Sequence, residues 1–151
     1  MSTVKDEVTD QLAMKSDCIF CKIIRSELAA PQVYEDEHTI AFLDHRPLFP
    51  GHCLLVPKLH TDTLLELDDN LVQPLFTNAQ KLARAVEKAL QAEGTFIAIN
   101  NKVSQSVPHL HVHVVPRRKG DGLKGFFWPR HPYRDEAHIL SVQAAIRQAL
   151  V

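Results

Sequence analysis

The 151-residue sequence predicts an α+β fold in which a five-stranded antiparallel sheet carries helices packed on one face. Five segments are short and rich in β-branched and aromatic residues, as strands are. Most links between them have hairpin length, which antiparallel neighbours permit and parallel crossovers do not. One long amphipathic stretch separates the third strand from the fourth, too little helix for a doubly wound parallel sheet.

Taken in order, residues 1–16 are polar and charged without an apolar period, and read as a flexible tail; a single domain is expected over 17–151. "DCIFCKIIRSE" reads as a short helix, with Ile19, Ile23 and Ile24 at helical spacing after a possible Asp17 cap, ending before Pro31. "QVYED" and "TIAFLD" form a hairpin across Glu37 and His38, and "HCLLVP" is the third strand. From Asp68 to Glu93, Leu71, Leu75, Leu82, Val86 and Leu90 share one face, with Gly94 as terminator. Pro74 falls inside that stretch, and an interior proline costs about 3 kcal/mol, so a start near Gln73 is preferred. "GTFIAIN" and "PHLHVHVVP" are the last strands. An extension from about residue 119 then leads through "KGDGLKGFFWPRHPY" to an amphipathic helix from about Asp135 to Gln148.

Lys and Arg number 17 against 18 for Asp and Glu, so no global charge excess points to nucleic acid, and any nucleotide site is local. No run approaches the roughly 18 apolar residues of a membrane span, and the amino-terminal stretch lacks a signal-peptide core. A cytoplasmic protein without a membrane partner is expected. Cys18-x-x-Cys21 is either half of a tetrahedral metal site, a redox pair or two unrelated thiols. The strand-first βαβ setting of thioredoxin-like pairs is missing. Cys53, alternating with apolar neighbours, reads as a buried small hydrophobe.

In an extended strand His109, His111 and His113 share one face while Leu110, Val112 and Val114 share the other. A half-exposed polar face or a histidine metal site is the ordinary reading. Three imidazoles in a row also suit group transfer, because one neutral ring attacks while a neighbour donates protons to developing charge. Asp44 ends a strand, where it serves either as a turn residue or as an acceptor for ribose hydroxyls. Phe126, Phe127, Trp128 and Tyr133 read first as core or dimer contacts.

"HLHVHVV", with "CIFCKIIRSE", "AFLDHRPLFPGHCLLVPKLH" and "INNKVSQSVPHLHVHVVPR", resembles the histidine triad (HIT) nucleotide hydrolases and transferases over residues 18–118. The resemblance implies a HIT-like homodimer that attacks the α-phosphorus of a nucleoside 5′-phosphoryl substrate of AMP or GMP type. It implies His111 as nucleophile, His113 and His52 as donors to the phosphate, and Ser106 beside the leaving group. Asp44 would hold the ribose, Asn100 and Gln105 the phosphate, and Trp128 would line the leaving-group side across a dimer. Where the family usually places glycine before the glutamine this chain has Ser104, which affects the placing of Gln105. Zinc-containing members similarly imply a structural zinc on Cys18, Cys21, His60 and His109, with neither a catalytic metal nor an organic cofactor. The resulting activity is that of a purine nucleotide phosphoramidase or dinucleotide polyphosphate hydrolase. The rival is a nucleotide-binding regulatory protein with incidental turnover.

Overall fold

The computed structural model describes residues 17–123 and 130–150; the expected tail, and Phe126, Phe127 and Trp128, lie outside them. The chain forms two compact units, Met1–Lys119 and Gly120–Val151. The first holds α1 (Ile19–Ile24), β1 (Gln32–Glu35), β2 (Thr39–Leu43), β3 (Cys53–Pro57), a 3₁₀ turn (Leu64–Glu66), α2 (Asp69–Leu90), β4 (Gly94–Ala98) and β5 (Val112–Arg117). The second holds α3 (Glu136–Ala149), capped by Asp135, whose carboxylate accepts the His138 N–H at 2.7 Å.

The sheet has the order β1-β2-β3-β5-β4, and every neighbouring pair is antiparallel. β5 therefore lies inside the sheet, where strands on both sides fix its register. β-Strand alternation then divides the apolar residues between two layers. Ala41, Cys53, Leu55, Val112 and Val114 face α2 and pack with Leu75, Ala79, Leu82 and Val86. Ile40, Phe42, Leu54 and Val56 face the other way, against Cys18, Phe20 and Cys21 of the α1 segment. The helices thus cover both faces, not one. An antiparallel sheet tolerates a wet second face, but here α1 closes it and leaves a cleft beside it.

α2 begins at Asp69, not near Gln73: the Asp68 carboxylate caps it by accepting the Asn70 N–H at 2.8 Å. Pro74 lies in the second turn, where it removes one hydrogen bond, a loss the cap and the buried face offset. Burying Leu75, Leu82 and Val86 contributes about 1.5–3 kcal/mol each. The helix ends not at Gly94 but at Gln91, whose φ of 52° is left-handed. α1 is capped by Cys18, not Asp17, with Sγ accepting the Cys21 N–H at 3.5 Å.

β5 begins at Val112, so His109, Leu110 and His111 precede the ladder. Leu110 N–H donates to the Thr61 carbonyl at 2.7 Å, which takes the place of a strand partner. The alternation survives, since Leu110 joins the α2 core with Val112 and Val114.

Candidate active site and metal centre

The histidine face of β5 turns toward α1, at a cleft of about 300 Å³ lined by Phe20, Leu43, Asp44, Ser106, His111 and His113 among others. His111 is buried and meets Phe20 edge-on, with ring centroids 5.2 Å apart. Its Nδ1 lies 2.7 Å from the His109 carbonyl oxygen. A carbonyl accepts, so the neutral ring keeps its proton on Nδ1 and presents Nε2 as a lone pair.

His52 stands opposite, delivered by the turn before β3. Leu48 N–H donates to His52 Nδ1 at 3.1 Å, so the neutral ring carries its proton on Nε2. That proton points at His113 Nδ1, 2.9 Å away, and His113 therefore carries its own on Nε2. Backbone geometry fixes both rings as a chain of donors ending in the cleft. Burial lowers the His52 pKa, against the pull of Asp44, and lowers His113 to about 4, with His111 and His52 adding to the effect. Both rings are neutral near pH 7.

Asp44 divides its carboxylate: Oδ1 accepts the Arg46 N–H at 2.9 Å as a turn residue, while Oδ2 lies 3.7 Å from His52 Nε2 at the cleft wall. The ligand atoms of Asp44, His52 and His113 fall within 4.8 Å of one another, close enough for a metal. The proton on His52 Nε2 argues for a hydrogen-bond relay there instead. Ser106 lines the cleft, and Asn100 Nδ2 donates to the Ser104 carbonyl at 3.3 Å, bracing the loop. Gln105 has both ends engaged within the protein, Nε2 donating to the Asp62 carbonyl at 2.6 Å and Oε1 accepting the Lys102 N–H at 2.9 Å. Ser104 adopts a φ of 61°, the conformation that the family's usual glycine favours.

On the far side of His111, the ligand atoms of Cys18, Cys21, His60 and His109 also gather within 4.8 Å. Cys18 Sγ lies 3.4 Å from His109 Nδ1, and Cys21 Sγ lies 3.3 Å from His60 Nδ1 and 3.6 Å from His109 Nδ1. A tetrahedral zinc with bonds of about 2.3 Å to sulfur and 2.05 Å to nitrogen has S···N edges of about 3.6 Å, so the donors fit that ion. Both rings are turned for it. His109 donates Nε2–H to the Pro57 carbonyl at 2.8 Å and His60 donates Nε2–H to Asp62 Oδ1 at 2.7 Å, leaving both Nδ1 atoms as lone pairs. Burial lowers the His109 pKa to about 4, which keeps that lone pair available. Cys53 is buried in the α2 core, and burial raises its thiol pKa.

Sequence reasoning overlooked Asp62, Pro57 and Leu48, which orient these rings. A ligating histidine commonly donates its other N–H to a carboxylate, and Asp62, close in sequence to His60, was the available trace of that partner. Main-chain donors leave no such trace.

Comparison with known proteins accords with this geometry. The chain is 42% identical over 118 residues to Protein hit of Bacillus subtilis, covering 76% of this chain and 81% of the relative. It is 34% identical over 120 residues to Adenylylsulfatase HINT3 of Arabidopsis thaliana, covering 78% of this chain and 61% of the relative. Among solved structures it is similar to a Zn-bound histidine triad family protein from Mycobacterium smegmatis, with a TM-score of 0.68, 38% identity and coverage of 88% and 97%. The HIT domain profile matches residues 25–120, most of the chain, and the protein therefore belongs to the HIT family.

Proposed function

We propose that the protein is a nucleotidyl hydrolase or transferase that acts on the α-phosphorus of an AMP-linked phosphoramidate or dinucleotide polyphosphate through a covalent nucleotidyl-His111 intermediate. One observation carries the reading: His111 spends Nδ1–H on the His109 carbonyl and so turns an unprotonated Nε2 toward the cleft. In the first step Nε2 attacks phosphorus, the bond to the leaving group breaks, and that group departs with the electron pair and takes a proton. Ser106, which lines the cleft, is the residue assigned to assist this transfer. His113 donates its Nε2–H to a phosphoryl oxygen as charge develops, His52 stands behind it and holds that tautomer, and Asp44 accepts from the ribose hydroxyls. Water then cleaves the P–N bond and releases the nucleoside monophosphate.

Cys18, Cys21, His60 and His109 would hold a zinc ion with no open position, and so a structural one. The name of the Arabidopsis relative supports an adenylyl substrate and adds sulfate to the candidate leaving groups. A homodimer belongs to this reading, with Ile97 on the sheet-edge strand β4 and Val72 and Phe76 on α2 exposed as apolar surface for a second copy. Trp128 would complete the leaving-group side there. No helix among the described residues is long and apolar enough to cross a membrane, and a thiolate metal set suits the reducing cytoplasm.

The test is turnover of adenosine phosphoramidate, diadenosine polyphosphates and adenylyl sulfate, with acid-quench trapping of an adenylylated His111. Release of AMP with a labelled His111 adduct supports the reading. AMP binding without turnover of any of the three overturns it in favour of a nucleotide-binding regulator.

A further inference from the structure

We propose that Gln105 is a positioning residue that couples the metal centre to the loop presenting Ser106, so that metal occupancy sets nucleotide affinity. The proposal rests on the readings above of the zinc site and the nucleotide cleft.

Asp62 is the junction. Its side chain accepts the Nε2–H of His60, a candidate metal ligand, at 2.7 Å, and its main-chain carbonyl accepts Gln105 Nε2–H at 2.6 Å. Gln105 Oε1 in turn accepts the Lys102 N–H at 2.9 Å, closing the loop on itself. Two further bonds run alongside, Leu64 N–H to Asn101 Oδ1 at 3.0 Å and Leu110 N–H to the Thr61 carbonyl at 2.7 Å. Residues 60–64 are thereby tied at once to the metal set and to the 100–110 segment.

The loop needs such a brace. Lys102 and Ser104 have φ values of 71° and 61°, strained for residues with side chains, and neither belongs to a regular element. Ser106, Val107 and Pro108 also line a cavity of about 310 Å³ with Cys18, Ile19 and His60, so the loop that borders the nucleotide cleft borders the metal set too. A bound ion fixes His60, His60 fixes Asp62, and Asp62 through Gln105 fixes the peptide units before Ser106. Without the ion His60 loses its strongest anchor and keeps the bond to Asp62 and the contact with Cys21 Sγ, and the brace loosens. Coupling of this kind is reciprocal: whatever factor zinc adds to nucleotide affinity, the nucleotide adds to zinc affinity.

The experiment compares zinc-loaded and chelator-stripped full-length protein by hydrogen exchange of the Lys102–Val107 amides and by calorimetric AMP binding. It is then repeated with Gln105→Glu, which keeps an acceptor for Lys102 and loses the donor to Asp62. In the wild type, stripping is expected to speed loop exchange about 10-fold and weaken AMP binding about 5- to 20-fold, within the usual range of coupling. Gln105→Glu should still hold about one zinc per chain but show AMP affinities within about twofold in the two states. Equal loop exchange in loaded and stripped wild type overturns the proposal, as does an undiminished affinity ratio in the variant. Equal acceleration in the loop and at Val112–Val114 also overturns it, because the metal would then hold the whole sheet. If loaded wild type fails to bind AMP, the nucleotide reading falls, and the exchange comparison alone decides the coupling.

Discussion

The His111 Nδ1 and the His109 carbonyl oxygen lie 2.7 Å apart, and through this contact the first histidine of the triad sets the tautomer of the second. The same residue, His109, offers its ring to the metal set. Main chain and side chain of one residue thus serve two sites. Replacing His111 should separate binding from chemistry: His111→Ala is expected to lower kcat by about 10³-fold or more. The AMP dissociation constant should stay within about threefold. Single-turnover kinetics and calorimetry check the two halves, and residual turnover near the wild-type rate would remove His111 as nucleophile.

The donor chain predicts a pH dependence. Burial first, then His111 and His52, hold His113 at about 4 in the folded protein, and unfolding returns it to about 6.5. Between those values the unfolded chain binds the extra proton. Stability is therefore level above about pH 6.5 and falls as pH drops toward 4. His113→Gln removes this group and should make the decline in urea midpoint between pH 7 and 5 shallower, with His109 and His52, also lowered by burial, carrying the rest; identical slopes in the two proteins would contradict the assigned burial.

The metal set predicts a stability loss on ligand removal. Cys21 is wholly buried, and its Sγ contacts both His60 Nδ1 and His109 Nδ1. Cys21→Ser is expected to reduce zinc from about one per chain to none. It should also cost on the order of 4 kcal/mol at a free zinc concentration 1,000 times the dissociation constant. Metal analysis together with thermal unfolding, with and without a chelator, measures both. A wild type whose unfolding ignores the chelator would refute a structural role.

Much of this was legible in the sequence, for identifiable reasons. Strand alternation placed Leu110, Val112 and Val114 opposite the histidines, since a period of two survives even where His109–His111 leave the ladder. The Cys18-x-x-Cys21 spacing announced half of a metal site, and only the resemblance to zinc-containing family members singled out His60 and His109, which the fold brings to it. What stayed hidden depends on tertiary contact. The side of the sheet taken by α1 follows from Phe20 packing against Phe42, with centroids 5.4 Å apart, and six helical residues carry no record of which face they cover. The expected α2 start near Gln73 rests on the cost of Pro74 alone, whereas the folded helix begins at Asp69 on the Asp68 cap and keeps the proline in its second turn. The use of Gln105 as a brace depends on the Asp62 carbonyl, and every residue has a carbonyl.

Gly51 predicts a backbone cost at the turn that delivers His52. Its φ is +99°, and an added Cβ would sit 2.1 Å from Leu90 Cδ1. Leu90 is partly exposed and can swing aside; the dihedral cannot be relieved so easily. Gly51→Ala should destabilise by about 1–2 kcal/mol from backbone strain, and Leu90→Ala in the same chain should recover little of it. Chemical denaturation of the single and double variants decides which term dominates, and full recovery would assign the cost to the clash.

Asn78 predicts the largest loss away from either site. Buried on α2, it donates from Nδ2 to Asp36 Oδ2 at 2.7 Å and to Thr39 Oγ1 at 2.9 Å, tying the helix to the β1–β2 hairpin. Burial pushes the Asp36 carboxyl up, but bonds from Asn78, the Thr39 and His38 amides and the Thr39 hydroxyl together hold it well below the usual carboxylate range. A depressed folded value means that this stability is present above about pH 4, the unfolded pKa, and is lost as acid titrates Asp36. Asn78→Ala leaves the carboxylate short of a donor in a half-buried position, and should cost about 2–3 kcal/mol at pH 7. The loss should shrink at pH 3, where a less tightly held Asp36 has protonated and the charge no longer needs that donor. Urea midpoints of wild type and variant at the two pH values test this, and a cost that does not change with pH would show that Asn78 acts through packing alone.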